Sequence, residues 1–409
     1  MRNMLKCLYS RIPQKIKNSI SHSAMLFVFC TLITIIAFQP MARMAYARDS
    51  RPETSGGSLI DIIVMLISEL SVEFSEPQSQ PQFVFPPNFQ YNSEEKTFRI
   101  PKSNGFTMDL SGAVHMDLYH QRQYTITLPM NDPWHLGYGE FAVIDDYFQT
   151  VYISPNIADG SVSLTFRLQQ LKLFDLSEDE GYYIIRAIYP RERYQFIVVI
   201  DPGHGGNQPG AIHGGIRESD LNLAVTRQLL ALIEQNEHMR AYTTRNSDAS
   251  VDLWARPRLG NEVGDIFISI HHNANTNRNV YGTESFYFLY IPDDDYDYNG
   301  YADYYGHNDI NHGTVDDIAD NAYALSSRGL AEIMQRQLIN RIGFRDRGIH
   351  NRRFVVLRYS QIPATLVELG FMSNQQELDI MRTEAFQRQA AQAIYNGLLE
   401  VFAHYPPPR

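Results

Sequence analysis

The chain has 409 residues, 44% of them apolar and 12% aromatic, enough for packed cores and incompatible with wholesale disorder. Six of its 35 basic residues and none of its 46 acids lie in residues 1–47. The remainder therefore holds 29 bases against 46 acids, which excludes a charge-driven nucleic-acid binder. Both cysteines, Cys7 and Cys30, fall in that first stretch, so the rest has no disulfide, thiolate metal site or cysteine nucleophile.

In chain order, residues 1–47 read as a signal peptide. Arg2, Lys6, Arg11, Lys15 and Lys17 precede an apolar run at 24–38, and Ala45 and Ala47 supply the small residues of a cleavage site. The run spans roughly 22 Å as a helix, short of the ~30 Å hydrocarbon core, which favours cleavage over retention as an anchor. The mature protein is expected outside the cytoplasmic membrane, in the periplasm or the cell wall. Residues 48–92 form an N-terminal segment with a short apolar stretch at 58–70, then a linker rich in Pro and Gln at 75–92. Residues 93–190 change to short alternating runs at 97–100, 106–110, 124–128, 141–144, 150–153, 161–168 and 182–188, the pattern of a small all-β sandwich.

Residues 195–405 alternate strands with helices. Strands are expected at 196–200, 240–244, 266–270, 284–289, 354–357 and 365–367, and helices at 218–235, 319–341 and 376–403. This alternation predicts an α/β fold with a mostly parallel sheet and helices on both faces, in which functional groups gather beyond the carboxyl ends of the strands. Three apolar strands deliver metal-competent residues there: VVIDPGHGG brings His204, IFISIHHN brings His271 and His272, and TLVELG brings Glu368. Glu218 opens the first helix. Two imidazoles and a carboxylate leave a tetrahedral zinc one open position for water, and a further carboxylate can take that water's proton. A phosphate loop fits poorly, because Gln208 stands where the dinucleotide pattern wants glycine and the helix begins too late to meet a pyrophosphate. Taken alone, Glu218 is also an ordinary acid at a helix N-terminus, and a lone strand-end histidine is usually structural.

The ordered set IDPGHGGNQPGAIHGGIRESDLNLAV, TTR, RPRLGNEVGDIFISIHHNAN, GTESFYF and PATLVELGFMSN closely resembles the zinc-dependent N-acetylmuramoyl-L-alanine amidases of the type 3 family over about residues 195–403. The resemblance implies a twisted sheet of about six strands, and hydrolysis by zinc-activated water of the amide joining N-acetylmuramic acid to L-alanine in peptidoglycan. It places the zinc ligands on His204, Glu218 and His271 and the catalytic carboxylate on Glu368, leaving His272 and His213 unassigned. Residues 93–190 resemble, more faintly, the AMIN domains that localise such amidases on cell wall. The competing readings are a zinc peptidase or other amide hydrolase of the wall, and a wall-binding protein without activity.

Between the expected strands 284–289 and 354–357, residues 291–320 hold nine acids, five tyrosines and no Lys or Arg. Asp295, Asp297, Asn299 and Asp303 fit positions 1, 3, 5 and 9 of a calcium loop, with Gly306 in place of the bidentate glutamate at position 12. Some relatives of the family carry at this place a helix that covers the zinc until an activator protein moves it, so an activator acting on 291–320 is an expected partner beside peptidoglycan. The chain is expected to be a monomer.

Overall fold

The computed structural model describes residues 84–143, 145–289 and 325–407. The signal peptide, most of the linker, the acidic stretch 291–320 and its calcium-loop residues Asp295, Asp297, Asn299 and Asp303 lie outside the described residues.

Among the described residues, nine strands precede the α/β half. One antiparallel sheet orders β1 (Gln90–Asn92), β2 (Thr97–Pro101), β9 (Tyr182–Ile188) and β8 (Leu173–Glu178). The other orders β3 (Val114–Leu118), β4 (Gln123–Pro129), β7 (Ser161–Leu168), β6 (Phe148–Asn156) and β5 (Gly139–Ala142). In β7, Val162, Leu164, Phe166 and Leu168 are buried while Arg167 is exposed and Ser163 and Thr165 are half-buried, the period of two expected of a strand with one face in a core. Phe98, Ile185, Ile126, Val151 and Phe166 from both sheets share that core. The expected strand 106–110 is not one: Asp109 Oδ1 accepts from the backbone N–H of Ser111 and Gly112 at 2.9 and 3.1 Å, turning the chain after a single bridge from Met108 to Met130.

The second half is built on a six-stranded sheet in the order β13 (Met239–Thr243), β10 (Phe196–Pro202), β14 (Ile266–Asn273), β17 (Ala364–Phe371), β15 (Thr283–Tyr287) and β16 (Asp346–Asn351). The first four run parallel; β15 is antiparallel to β17 and parallel to β16. A single helical turn, α1 (Pro190–Arg193), leads into β10, which is buried over its whole length, as a strand covered on both faces must be. Its Phe196, Val198 and Ile200 face helices α2 (Glu218–Ile233), α4 (Ser327–Ile342) and α7 (Glu384–His404) in one core. Ile197 and Val199 face a second core with Phe267, Leu366 and Leu357. Helix α2 buries Leu221, Val225, Leu229 and Ile233 at a spacing of four, as its sequence pattern requires.

Two expectations for this half are corrected. Residues 354–357 form no strand: Val355–Arg358 is a single helical turn, α5, and the sixth strand is the polar Asp346–Asn351. A four-residue apolar run has no period that separates strand from helix, and an edge strand needs no apolar face. The single helix expected at 376–403 is two, α6 (Gln375–Met381) and α7, because Thr383 Oγ1 donates to Ile380 O at 2.6 Å and accepts from Phe386 N at 3.3 Å, ending one helix and capping the next.

The β-rich half and the sheet meet. Leu171, Tyr119 and Tyr194 pack with Ile197, Val199 and Tyr242. Tyr119 Oη accepts from Thr243 N at 3.0 Å, and Arg240 donates to Asp117 at 2.7 Å. Helix α3 (Ala255–Val263) carries Glu262, which accepts both Arg122 nitrogens at 2.5 and 2.6 Å and the Leu171 N–H at 2.9 Å. Removing it by Glu262→Ala leaves a guanidinium and a backbone donor without their partner, at an expected cost of about 1–2 kcal/mol. Denaturant midpoints check this, and a change under ~0.3 kcal/mol would show that the contact carries no stability.

Candidate metal centre

The site begins as one row across the sheet. Pro202 pairs with Ile270 in register, which sets Gly203, at the end of β10, beside His271 of β14; His271 pairs with Glu368 of β17, and Glu368 with Glu284 of β15. By alternation along their strands, His271, Glu368 and Glu284 share the face of Phe267, Leu366 and Phe286. His272 therefore points the other way: it is buried, and its Nδ1 meets Asn222 Oδ1 of α2 at 2.7 Å. Burial pushes the His272 imidazole down to about 4, keeping it neutral and structural.

Glu218 reaches this row from the first turn of α2. Its Oε1 lies 2.8 Å from His271 Nδ1 and its Oε2 3.2 Å from His204 Nε2, and the two imidazole planes cross at 76°. One donor atom from each of the three residues falls within 4.8 Å of the others. Ligands about 2 Å from a tetrahedral zinc lie roughly 3.4 Å apart, so the trio is close to the spacing that a shared ion needs. Burial raises the Glu218 carboxyl, but hydrogen bonds from His204 and His271 more than reverse this and hold it well below the usual carboxylate range. A negative carboxylate between two imidazoles is the donor set that zinc takes.

The surrounding backbone is cut to this set. A Cβ on Gly203 would sit 2.1 Å from His271 Nε2, and one on Gly210 2.4 Å from Glu218 Oε2. His204 itself holds φ at 62°, a left-handed conformation uncommon outside glycine and a form of strain found where function demands it. Two buried arginines keep it there. Arg245 donates to the carbonyls of Pro202, Gly203 and Ser219 at 2.8–2.9 Å. Arg256 donates to His204 O at 3.0 Å and to Asp201 Oδ1 at 2.7 Å. Burial would raise Asp201, but Arg256, Thr244 and Ser269 hold its carboxyl below the ordinary value, so the buried pair stays ionised.

Glu368 faces the trio from the neighbouring strand. It is half-buried, and its Oε2 is shut from solvent without a hydrogen-bond partner. Burial, then the charges of Glu218 and Glu284, push its carboxyl well above the ordinary range. Glu284 is tied down separately: its Oε1 accepts from Asn273 Nδ2 at 2.8 Å and its Oε2 from Arg347 Nε at 3.0 Å.

Residues 198–400 match the family model described as N-acetylmuramoyl-L-alanine amidase. The chain is 33% identical over 202 residues to the uncharacterized protein YqiI of Bacillus subtilis (strain 168), covering 49% of this chain and 82% of that protein. It is 30% identical over 207 residues to the N-acetylmuramoyl-L-alanine amidase CwlM of Bacillus licheniformis, covering 50% of this chain and 68% of CwlM. The chain belongs to the N-acetylmuramoyl-L-alanine amidase family. Its α/β half is the amidase domain, a peptidoglycan hydrolase domain. With the N-acetylmuramoyl-L-alanine amidase LytC of Bacillus subtilis (strain 168) it shares 28% identity over 207 residues, half of this chain but 35% of LytC.

Of the amidase residues singled out in the sequence, the structure brings His204, Glu218 and His271 together and sets Glu368 beside them in register. His213 lies apart, in the short hairpin of β11 (Ile212–His213) and β12 (Ile216–Arg217). Arg245, Arg256 and Glu284 sit inside motifs that the sequence displays, but nothing local marks them as part of the site. A buried arginine and a surface arginine look alike in a sequence.

Proposed function

We propose that this protein cleaves the amide between N-acetylmuramic acid and L-alanine, with zinc held by His204, Glu218 and His271 and with Glu368 as the catalytic carboxylate. The observation that carries the reading is the unpartnered Glu368 Oε2 one strand away from three donor atoms that lie within 4.8 Å of one another. When bound, zinc supplies Lewis acidity toward the amide carbonyl and lowers the pKa of a water toward ~7.

The chain's own residues do the rest. Asn222 Nδ2 holds Gly203 O at 3.0 Å and so keeps the His204 loop against α2. Glu368 Oε2, with no competing donor, takes a proton from the attacking water and returns it to the departing nitrogen of L-alanine. The C–N bond breaks to a muramic carboxylate and a free alanine amine, and the glutamate ends as it began.

The reading extends to an exported protein, through residues 1–47, and to a wall-localising role for the β-rich half, both on resemblance and composition. It places an activator protein at 291–320 on resemblance alone. No helix among the described residues is long and apolar enough to cross a membrane. Purified sacculi digested with and without chelator test the reading. Release of peptides with a new N-terminal alanine, abolished by chelation and restored by zinc, is the expected result. A different amine terminus would make the protein a wall peptidase, and release indifferent to chelator would remove the metal from the mechanism.

A further inference from the structure

Strand β14 sends Ile266, Ile268 and Ile270 into the core shared with α2, and alternation puts His272 next in that row. An apolar side chain would continue the row, whereas an imidazole there is penalised wherever it is not hydrogen-bonded. His272 is wholly buried, and its Nε2 has no hydrogen-bond partner among the described residues. One side of the ring is therefore carried at a cost, and the other side shows what it is carried for. Its Nδ1 meets Asn222 Oδ1 at 2.7 Å. Asn222 is equally buried, in a polar stripe of α2 that runs Glu218, Asn222 and Thr226 at a spacing of four beside the apolar one.

The direction of each bond follows from the acceptors. Asn222 Nδ2 lies 3.0 Å from Gly203 O and 3.4 Å from Glu218 Oε1, a carbonyl and a carboxylate that can only accept. That end of the amide is its NH2, so Oδ1 accepts and His272 donates from Nδ1. Turned the other way, the amide would set oxygen against oxygen twice. His272 contributes again through its backbone N–H, which donates to Glu218 Oε1 at 3.3 Å. The amide thus spans the loop that carries His204 and the carboxylate that faces both imidazoles, and His272 holds its oxygen. We infer that His272 and Asn222 are a positioning pair for the metal: the imidazole fixes the amide, and the amide fixes Glu218 and Gly203 in the geometry that binds zinc. Groups that orient a metal-binding side chain in this way commonly change metal affinity by about 10–100-fold when removed.

This inference rests on the zinc reading of the site, and one experiment separates the two. Zinc affinity of the full chain is measured by competition with a chelating dye, in the wild type and in variants of the pair. His272→Leu continues the apolar row, so a role in packing alone predicts wild-type affinity. The positioning role predicts a loss of about tenfold, because the oxygen of Asn222 is released. His272→Asn, whose amide can donate from about the place of Nδ1, should recover most of that loss. Asn222→Ala should lose about 100-fold, and adding His272→Leu to it should cost nothing further, since the imidazole acts through the amide. Wild-type affinity in His272→Leu or in Asn222→Ala overturns the inference. So do equal losses in His272→Leu and His272→Asn, losses that add in the double variant, or a His272→Leu chain that fails to fold, each of which assigns the imidazole to the core. Absence of zinc binding by the wild type would instead strike at the reading of the site itself.

Discussion

Glu368→Gln is expected to lower turnover on muropeptide by about 10²–10⁴-fold while leaving stoichiometric metal in place. Glutamine preserves the shape of the side chain and its place in β17, beside His271 on one strand and Glu284 on the other. It removes the capacity of Oε2 to take and return a proton. Because Oε2 has no partner among the described residues, no existing hydrogen bond is lost, and folding should be unharmed. The change also deletes a carboxyl whose ionised form is opposed first by burial and then by the charges of Glu218 and Glu284, so a modest gain in stability of the metal-free protein is expected. Metal content, thermal midpoint and product release, measured on one preparation, decide the matter. Near wild-type release with full metal would take Glu368 out of the chemistry. Loss of metal along with activity would make it a structural neighbour of the site.

Gly203→Ala is the second large effect, and no ligand is touched. The added methyl would stand 2.1 Å from Nε2, 2.2 Å from Cε1 and 2.6 Å from Cδ2 of His271, well inside van der Waals contact. Gly203 has little freedom to retreat, since its carbonyl is held by Arg245 at 2.9 Å and Asn222 at 3.0 Å and its N–H donates to Ile270 O at 3.0 Å. The imidazole must swing aside, breaking its 2.8 Å approach to Glu218 and its place among the three donors. Zinc affinity should fall by about 100-fold or more, in line with disturbed ligand orientation in other zinc sites, with activity falling in step. Gly181→Ala is the control: its nearest neighbour would lie 3.7 Å away, so both quantities should stay unchanged. Zinc titration by competition with a chelating dye measures the first effect, and wild-type affinity in Gly203→Ala would show that His271 does not bind the ion from this position.

The sequence determined, by itself, whatever depends on neighbours along the chain. Alternation in 161–168 announced β7, the spacing of four through Leu221, Val225, Leu229 and Ile233 announced α2, and the unbroken apolar run before His204 announced a strand covered on both faces. These are local periodicities, and burial enforces them one element at a time. The donors could be nominated for the same reason: each sits at or beside the end of such an element.

Tertiary structure alone decided what depends on pairing across the fold. His271 and His272 are adjacent in sequence and equal in chemistry; the family motif pointed to His271, but the physical reason, the register of β14 against β17 and the position of Asn222 that bury His272 on the other face, lies only in the fold. Residues 354–357 are as apolar as a strand, yet fold as a turn of helix whose Val356 and Leu357 fill the core beside Phe286. Arg245 and Arg256 became the supports of the His204 loop only when β10, α2 and α3 closed around them. The β-rich half looked separable by composition, yet it shares a core with the amidase sheet through Leu171, Tyr119 and Tyr194. In each case the deciding energy is a contact between residues far apart in the chain, and no local pattern has to encode it.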